Sequence, residues 1–544
     1  MPESLTFPGV YLQELPSQVH TIVGVPTSVA AFVGDASVGP LNLARQVNSW
    51  ADYQRTFGPL DTDYPMSWAV YLYFINGGAT AQVVRAGTGG TATQIDVGGS
   101  FTLAANSPGA WGDSLSVTVS RSSIPQPKAG QPGAGQPSAA FTLAVSQLSG
   151  GMTVASEKYP SVTVQTLGAA LARSRLVTLA AVSDAATPPA DDTYTVTGAA
   201  SAAAKPGAAP KPADGAGGAP AAGGAPAAGG APAAGGAPAA PASTNAPGTK
   251  PAFSPAAVVN DGVQALAKVD IFNMLCLPTL VDQTHPAADL DVAAAFCKQH
   301  RAVLIVDPPS AWSSALLDVQ TATDSPAIDA SRDAAVYYPN LSVTDNAGVV
   351  HEIGPSGAVA GVWAATDRSR GVWKAPAGTS ANLVGITDLA AQIGDAESGL
   401  LNPIAINALR KLPLYGPVVW GARTSVGADA AADQWKYLPV RRTALFIEES
   451  LRRSTQWVVF EPNDEPLWSS LRLNIGAFMN GLWRQGAFQG TTKSDAYFVK
   501  CDSEVNPQDQ IDLGIVNVIV GFAPLKPAEF VVISIEQMAG QLQT

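Results

Sequence analysis

Four consecutive copies of the hexad Gly-Gly-Ala-Pro-Ala-Ala fill Gly217–Ala240. Such a run has almost no side chain to bury and cannot offset the entropy of ordering it. It therefore reads as a polyproline-leaning loop directed into solvent. No core can pass through it, so the chain on either side must be read separately.

Residues 1–25 read as an extended arm. Pro8-Gly9 leads into Val10, Tyr11, Leu12, Gln13, Glu14 and Leu15, and Pro16 closes the stretch, as at an edge strand. Residues 26–86 have α/β rhythm. Val29–Val33 and Ala81–Arg85 look like buried strands. Ser49–Phe57 and Pro65–Ile75 look like helices, the second stopped by Gly77-Gly78. Residues 87–254 form a β-rich insertion with strands expected at Ser114–Ser120, Ala140–Ser146, Ser161–Gln165 and Thr193–Thr197, and loops such as Ile124–Ser138. Its last part, from about 198 to 254, is the flexible repeat loop.

Residues 255–420 return to α/β rhythm, with strand cores at Ile271–Leu277 and Val303–Val306 around a helical Leu290–Gln299. Residues 421–522 form a C-terminal domain. There Ala444, Ile447 and Leu451 share a helical face, and Glu448/Arg452 and Glu449/Arg453 make i,i+4 pairs in the favourable order. Val458–Phe460 reads as a short strand. Asn463 or Asp464 caps a helix with Pro466 in its first turn and a stripe of Leu467, Leu471, Ile475, Phe478 and Leu482. Residues 523–544 form a second arm, with Phe530, Val531, Val532, Ile533, Ser534 and Ile535 as a strand. The expected fold class is multidomain α/β. A mixed-sheet core with helices on its faces is built from N- and C-terminal parts, with a β-rich insertion pointing outward and a strand arm at each end.

Chemistry-bearing patterns are sparse. Gly87-Thr88-Gly89-Gly90-Thr91-Ala92 follows a strand, but strand and turn residues come after it, so a loop is expected rather than a dinucleotide-binding turn. Asp307 ends a strand without a nearby His or Cys and reads as a strand-end cap. His351-Glu352 lacks the second His of a zinc helix. His20, His285 and His300 are isolated, and Trp435, Trp457, Trp468 and Trp483 read as packing residues. Cys276, Cys297 and Cys501 make no disulfide framework and no metal pair. No catalytic set, metal or cofactor is expected. The net charge of -12 carries no basic stripe, which argues against nucleic acid as a partner. No secretory signal and no apolar run long enough for a membrane span is found, so assembly in the cytoplasm is expected. Charged residues are only 14%, low for a globular chain, as dilution by the repeats or burial between subunits would make it.

Several ordered stretches resemble the contractile phage tail sheath family. They are PGVYLQELPS near the start, VGVPTSVAAFVG (Val23–Gly34), VVWGARTS (Val418–Ser425), WKYLPVRR (Trp435–Arg442), FIEESLRRSTQWVVFEPNDEPLW (Phe446–Trp468), GLWRQGAFQG (Gly481–Gly490), FVKCD (Phe498–Asp502) and APLKPAEFVVISI (Ala523–Ile535). The resemblance covers roughly residues 1–85 and 255–540. It implies a subunit that stacks helically as a homo-oligomer around an inner tube protein, bounded by baseplate and terminal cap proteins, without membrane insertion. It implies that Val10–Leu15 and Phe530–Ile535 are donated to sheets of neighbouring subunits, with Pro16, Ser17, Pro524 and Pro527 as joints. It also implies that residues 421–522 lie innermost, and that Arg441, Arg442, Glu448, Glu449, Arg452 and Arg453 face the tube. A solvated charged face is the alternative for those six. Alternatives for the whole are a non-contractile filament or shell protein, and an α/β hydrolase-type enzyme.

Overall fold

The computed structural model describes residues 20–121, 140–149, 151–183, 189–196, 198–199, 245–312, 317, 319–324 and 326–534. The expectations for Val10–Leu15, Pro16, Ser17, Ile124–Ser138, Gly217–Ala240 and Ile535 lie outside the described residues. The chain divides into two compact units. One holds Asn42–Ala86, everything from Phe253 onward and the segment up to Ala36; the other holds Ser37–Leu41 and Gly87–Ala252.

The first unit is organised by an eight-stranded sheet. Across it run Gly416–Val419, Ile406–Leu412, Ala334–Tyr338, Val303–Val306, Met274–Cys276, Val29–Gly34, Thr80–Arg85 and Arg45–Val47. The inner pairings are parallel, and the strand at each edge is antiparallel. The sheet is thus mixed, and segments from both sides of the insertion build it. Buried parallel strands read as near-continuous apolar runs, as Val303–Val306 does, with every residue buried. Alternate residues feed opposite faces. Ala30 and Phe32 join one cluster with Tyr73 and Trp363; Val29, Ala31 and Val33 join the other with Phe296 and Leu304.

Helix Pro65–Ile75 begins at a proline, which suits a first turn, and its cap residue Asn76 precedes Gly77 at φ 117°. It is apolar almost all round because the sheet covers one side and helix Ser356–Arg370 the other. That second contact is close. A Cβ on Gly357 would sit 2.2 Å from the carbonyl oxygen of Ala69, so only glycine permits the approach. Asp307, expected as a strand-end cap, instead holds the start of that helix: its carboxylate accepts from Ser356 N at 2.7 Å and Ser356 Oγ at 2.8 Å. Burial raises the Asp307 pKa to about 6.

The second unit is all-β apart from one helix and one short 3-10 turn among its described residues. A five-stranded antiparallel sheet runs Gly198–Ala199, Thr193–Thr195, Leu115–Arg121, Phe141–Ser149, Met152–Val162; a three-stranded one runs Gln94–Val97, Phe101–Ala105, Val177–Val182. Phe101, Phe141, Leu143 and Leu167 sit in one shared core. The stretch Ser161–Gln165 is not a strand. Val162 ends one, and Thr163 caps helix Val164–Leu171, its hydroxyl and that of Thr166 forming a reciprocal capping box. Gly87–Ala92 is a loop, with Gly89 and Gly90 at positive φ and no helix after it.

Candidate assembly surfaces

Helix Leu438–Ser454 carries the charges expected to face an inner tube. Its apolar positions fix its rotation: Leu438 and Leu445 enter the sheet cluster, while Ile447 enters a C-terminal cluster with Leu467, Leu471, Ile475 and Met479 of helix Glu465–Arg484. Phe478 is partly buried against that cluster, and Asp464 caps the second helix by accepting from Leu467 N.

That rotation turns three of the six charges inward. Arg441 is buried and donates Nε to Asp333 at 2.8 Å. Arg442 is buried, grips the Asp367 carboxylate with two bonds of 2.7 and 2.9 Å, and stacks 4.7 Å above the Trp363 ring. Glu449 is buried as well and accepts from Arg452, Arg453 and Arg301. Burial alone would raise the Glu449 pKa, but the bonds from Arg452 and Arg453 outweigh it and hold the value at about 2. Arg453 also reaches Asp270. Of the two expected i,i+4 pairs, Glu449/Arg453 forms. Glu448/Arg452 does not: Arg452 turns to Glu449, where two bonds are available, and Glu448 lies 3.6 Å from Arg441 and 4.0 Å from Arg301. Arg441, Arg442 and Glu449 therefore spend their charge inside the subunit, and Glu448 and Arg452 are the exposed members.

The start of the described chain lies along the same helix. Val23 N and Val25 N donate to Ser454 and Ser450, Ile22 is buried in the C-terminal cluster, and His20 stacks on Trp457. Val458–Phe460 is not a strand. A 3-10 turn covers Gln456–Val458, and Phe460 stands at φ 75° with its ring in solvent.

A two-stranded hairpin follows, Tyr497–Lys500 against Ile519–Phe522. Each strand has one strand neighbour among the described residues, leaving two edges open. It rests on helix Glu465–Arg484, where Tyr497 donates to the carbonyl of Gly476. After it, the chain is held at Ala523, whose amide donates to Ala496 O and whose carbonyl accepts from Gln489 N. Beyond Pro524 it forms no strand among the described residues. Phe530, Val531, Val532 and Ile533 are 77, 79, 89 and 79% exposed. The expected strand over Phe530–Ser534 thus has no partner among the described residues.

A family model described as "Phage tail sheath protein central domain" matches residues 256–425, and one described as "Phage tail sheath C-terminal domain" matches residues 430–538. Together they span just over half of the chain. The chain belongs to the phage tail sheath family. This sheath chain is similar to the tail sheath protein of Burkholderia phage BcepMu, 28% identical over 275 residues that cover 48% of the chain and 55% of the relative. It is likewise 28% identical to the tail sheath protein of Vibrio phage KVP40 over 175 residues, 32% of the chain and 24% of the relative. The sheath chain thus spans about half and about a quarter of the length of these curated relatives. A solved sheath complex of an extracellular contractile injection system, PVC, in its contracted state is similar over 98% of each chain, with a TM-score of 0.55 and 22% identity, so the fold is shared.

Among the described residues of the sheath chain, no group of three or more His, Cys, Asp or Glu could hold a metal, and no helix is long and apolar enough to cross a membrane. The three cysteines are buried and free. The placement of Arg441 and Arg442 was beyond sequence reasoning, since Asp333 and Asp367 lie 108 and 75 residues away in the chain.

Proposed function

We propose that the chain is the structural subunit of a contractile sheath. It polymerises helically around an inner tube, between a baseplate and a terminal cap, and shortens to drive the tube through a target envelope. It assembles in the cytoplasm as part of a phage tail or tail-like particle, and it works by changing shape rather than by catalysis. The observation that carries this reading is the exposed apolar run Phe530–Ile533, unpaired among the described residues, together with a two-stranded sheet that has open edges. A single strand is not stable alone, and a two-stranded sheet is marginal. Exposed edges of this kind are satisfied when another chain adds a strand. Val10–Leu15 and Phe530–Ile535 are the donated strands, and the Tyr497–Lys500 and Ile519–Phe522 edges are the acceptors in neighbouring copies. Such contacts are heterologous and do not close on themselves, so they propagate into a helical filament. Contraction is then a switch between two packings of rigid bodies joined by paired arms. Glu448 and Arg452 are the members of the charged helix that meet the tube.

Negative-stain electron microscopy of the purified chain tests the reading. Hollow striated tubes are expected. Deleting residues 1–15 should give folded subunits, with unchanged circular dichroism, that form none. Tubes formed equally well without those residues would overturn strand donation by the N-terminal arm, and discrete small particles from the intact chain would overturn the sheath reading itself.

A further inference from the structure

The route of the tail between Ala523 and Phe530 is unusual. It bounds a cavity of about 1090 Å³, whose other walls include Arg370, Trp373, Lys374, Arg410 and Trp420. Residues 525–528 are not packed down: Leu525, Lys526 and Ala528 are exposed, and residues 525–534 make no backbone hydrogen bond to another described residue. The tail is therefore a strap, fastened at Ala523 and passing over open space.

Its second fastening is one side chain. Glu529 accepts from Arg423 through both carboxylate oxygens, at 2.8 Å from Nε and 2.6 Å from Nη2, and Tyr437 Oη lies at 3.5 Å. Arg423 is fixed in turn. Its side chain is 1% exposed, and its Nη1 donates to Asn402 O, Gly427 O and Asp429. Its backbone N–H and C=O are both held by the Asn407 side chain within strand Ile406–Leu412. A planar guanidinium fork meeting a carboxylate with two parallel bonds is a strong and directional contact. Among the described residues, no backbone hydrogen bond and no other ion pair holds residues 525–529.

We propose that the Arg423–Glu529 pair is a latch that sets where the C-terminal arm leaves its subunit, and hence how far that arm reaches. This rests on the sheath reading for the arm's purpose, but the latch itself is a property of one chain. Closed, it starts the free tail at Phe530. Open, it releases residues 525–529 as well and lengthens the tether by about 17 Å, at some 3.3–3.6 Å per extended residue. A subunit moving against its neighbour could then take up slack without unpairing the donated strand.

Chymotrypsin digestion of the full chain, dispersed at low concentration and followed by intact mass, reads the latch directly, because the bond after Leu525 can enter the protease only when the chain that follows it is released at Glu529. Cleavage after Phe530 should be fast in every form. In E529Q, cleavage after Leu525 should rise about tenfold or more, as expected when a charge-assisted bond no longer closes the open form. E529D, which keeps the charge, should fall between E529Q and the parent, and the melting temperature should hardly change because Arg423 keeps Asp429, Asn402 O and Gly427 O as partners. An unchanged rate at Leu525 in E529Q would overturn the latch. So would a rise matched at sites throughout the core, which would mean general loosening. Microscopy of the same samples, concentrated, keeps the two ideas apart: absence of tubes from the parent chain sinks the sheath reading and leaves the digestion result standing.

Discussion

Arg442 and Asp367 are 3 and 2% exposed, with two bonds between them and Trp363 beneath the guanidinium. Removing one member of such a pair leaves the other buried and uncompensated. D367N should lower unfolding free energy by about 3–5 kcal/mol in urea titrations. Glu449 tells on pH instead. Its folded pKa of about 2 lies below the usual 4.5, so its contribution is complete above pH about 4.5 and is lost as the pH falls toward 2. E449Q should be less stable than the parent at neutral pH and should flatten the acid limb of a stability–pH curve over that window. An acid limb as steep as the parent's would place the acid-labile group elsewhere. These residues also mark a limit of sequence reading. Helical spacing predicts which charges are neighbours on one helix and found Glu449/Arg453. It is blind to Asp270, Asp333 and Asp367, which the fold brings from other segments, and a run of charges therefore resembles a surface when half of it is interior.

Elements with strong local punctuation were legible. The helix Pro65–Ile75 keeps its expected bounds, with proline at one end and glycines after the other. Gln94–Val97 and Phe101–Ala105 appear where a strand and turn were read after the glycine loop. The failures are short apolar stretches with no tertiary partner visible in the sequence. Thr163 had a usable signal, a hydroxyl residue three before Thr166, but strand alternation on its N-terminal side masked it. Val458–Phe460 is β-prone, yet it is a turn between two helices. The contact between helices Pro65–Ile75 and Ser356–Arg370 gives a sharp element-level expectation. G357A pushes a methyl into the backbone of Ala69, and overpacking of this kind costs about 1–3 kcal/mol. The melting temperature should fall accordingly, whereas G399A, at a helical site with nothing within 4 Å of its Cβ, should not lower it.

At the scale of the whole molecule, the mixed α/β class followed from rhythm alone, whereas the order of strands in the sheet did not, because parallel pairing joins segments far apart in sequence. Strand Val29–Gly34 lies between Thr80–Arg85 and Met274–Cys276, so the stretch Gly87–Ala252 is an excursion between two neighbours of one strand. The cost of closing such a loop grows only with the logarithm of its length. Deleting Gly217–Ala240 should therefore leave the melting temperature unchanged and, on the proposed function, leave tube formation intact; loss of tubes would give the repeats a role in assembly. The excursion's two ends are also zipped together: Thr88 and Ala252 exchange both backbone hydrogen bonds, at 3.0 and 2.9 Å. Departure and return share one doorway. The crossing is thus a socket, and a foreign domain whose own termini lie a strand spacing apart could be grafted there, provided it also receives Ser37–Leu41, the other segment the second unit holds.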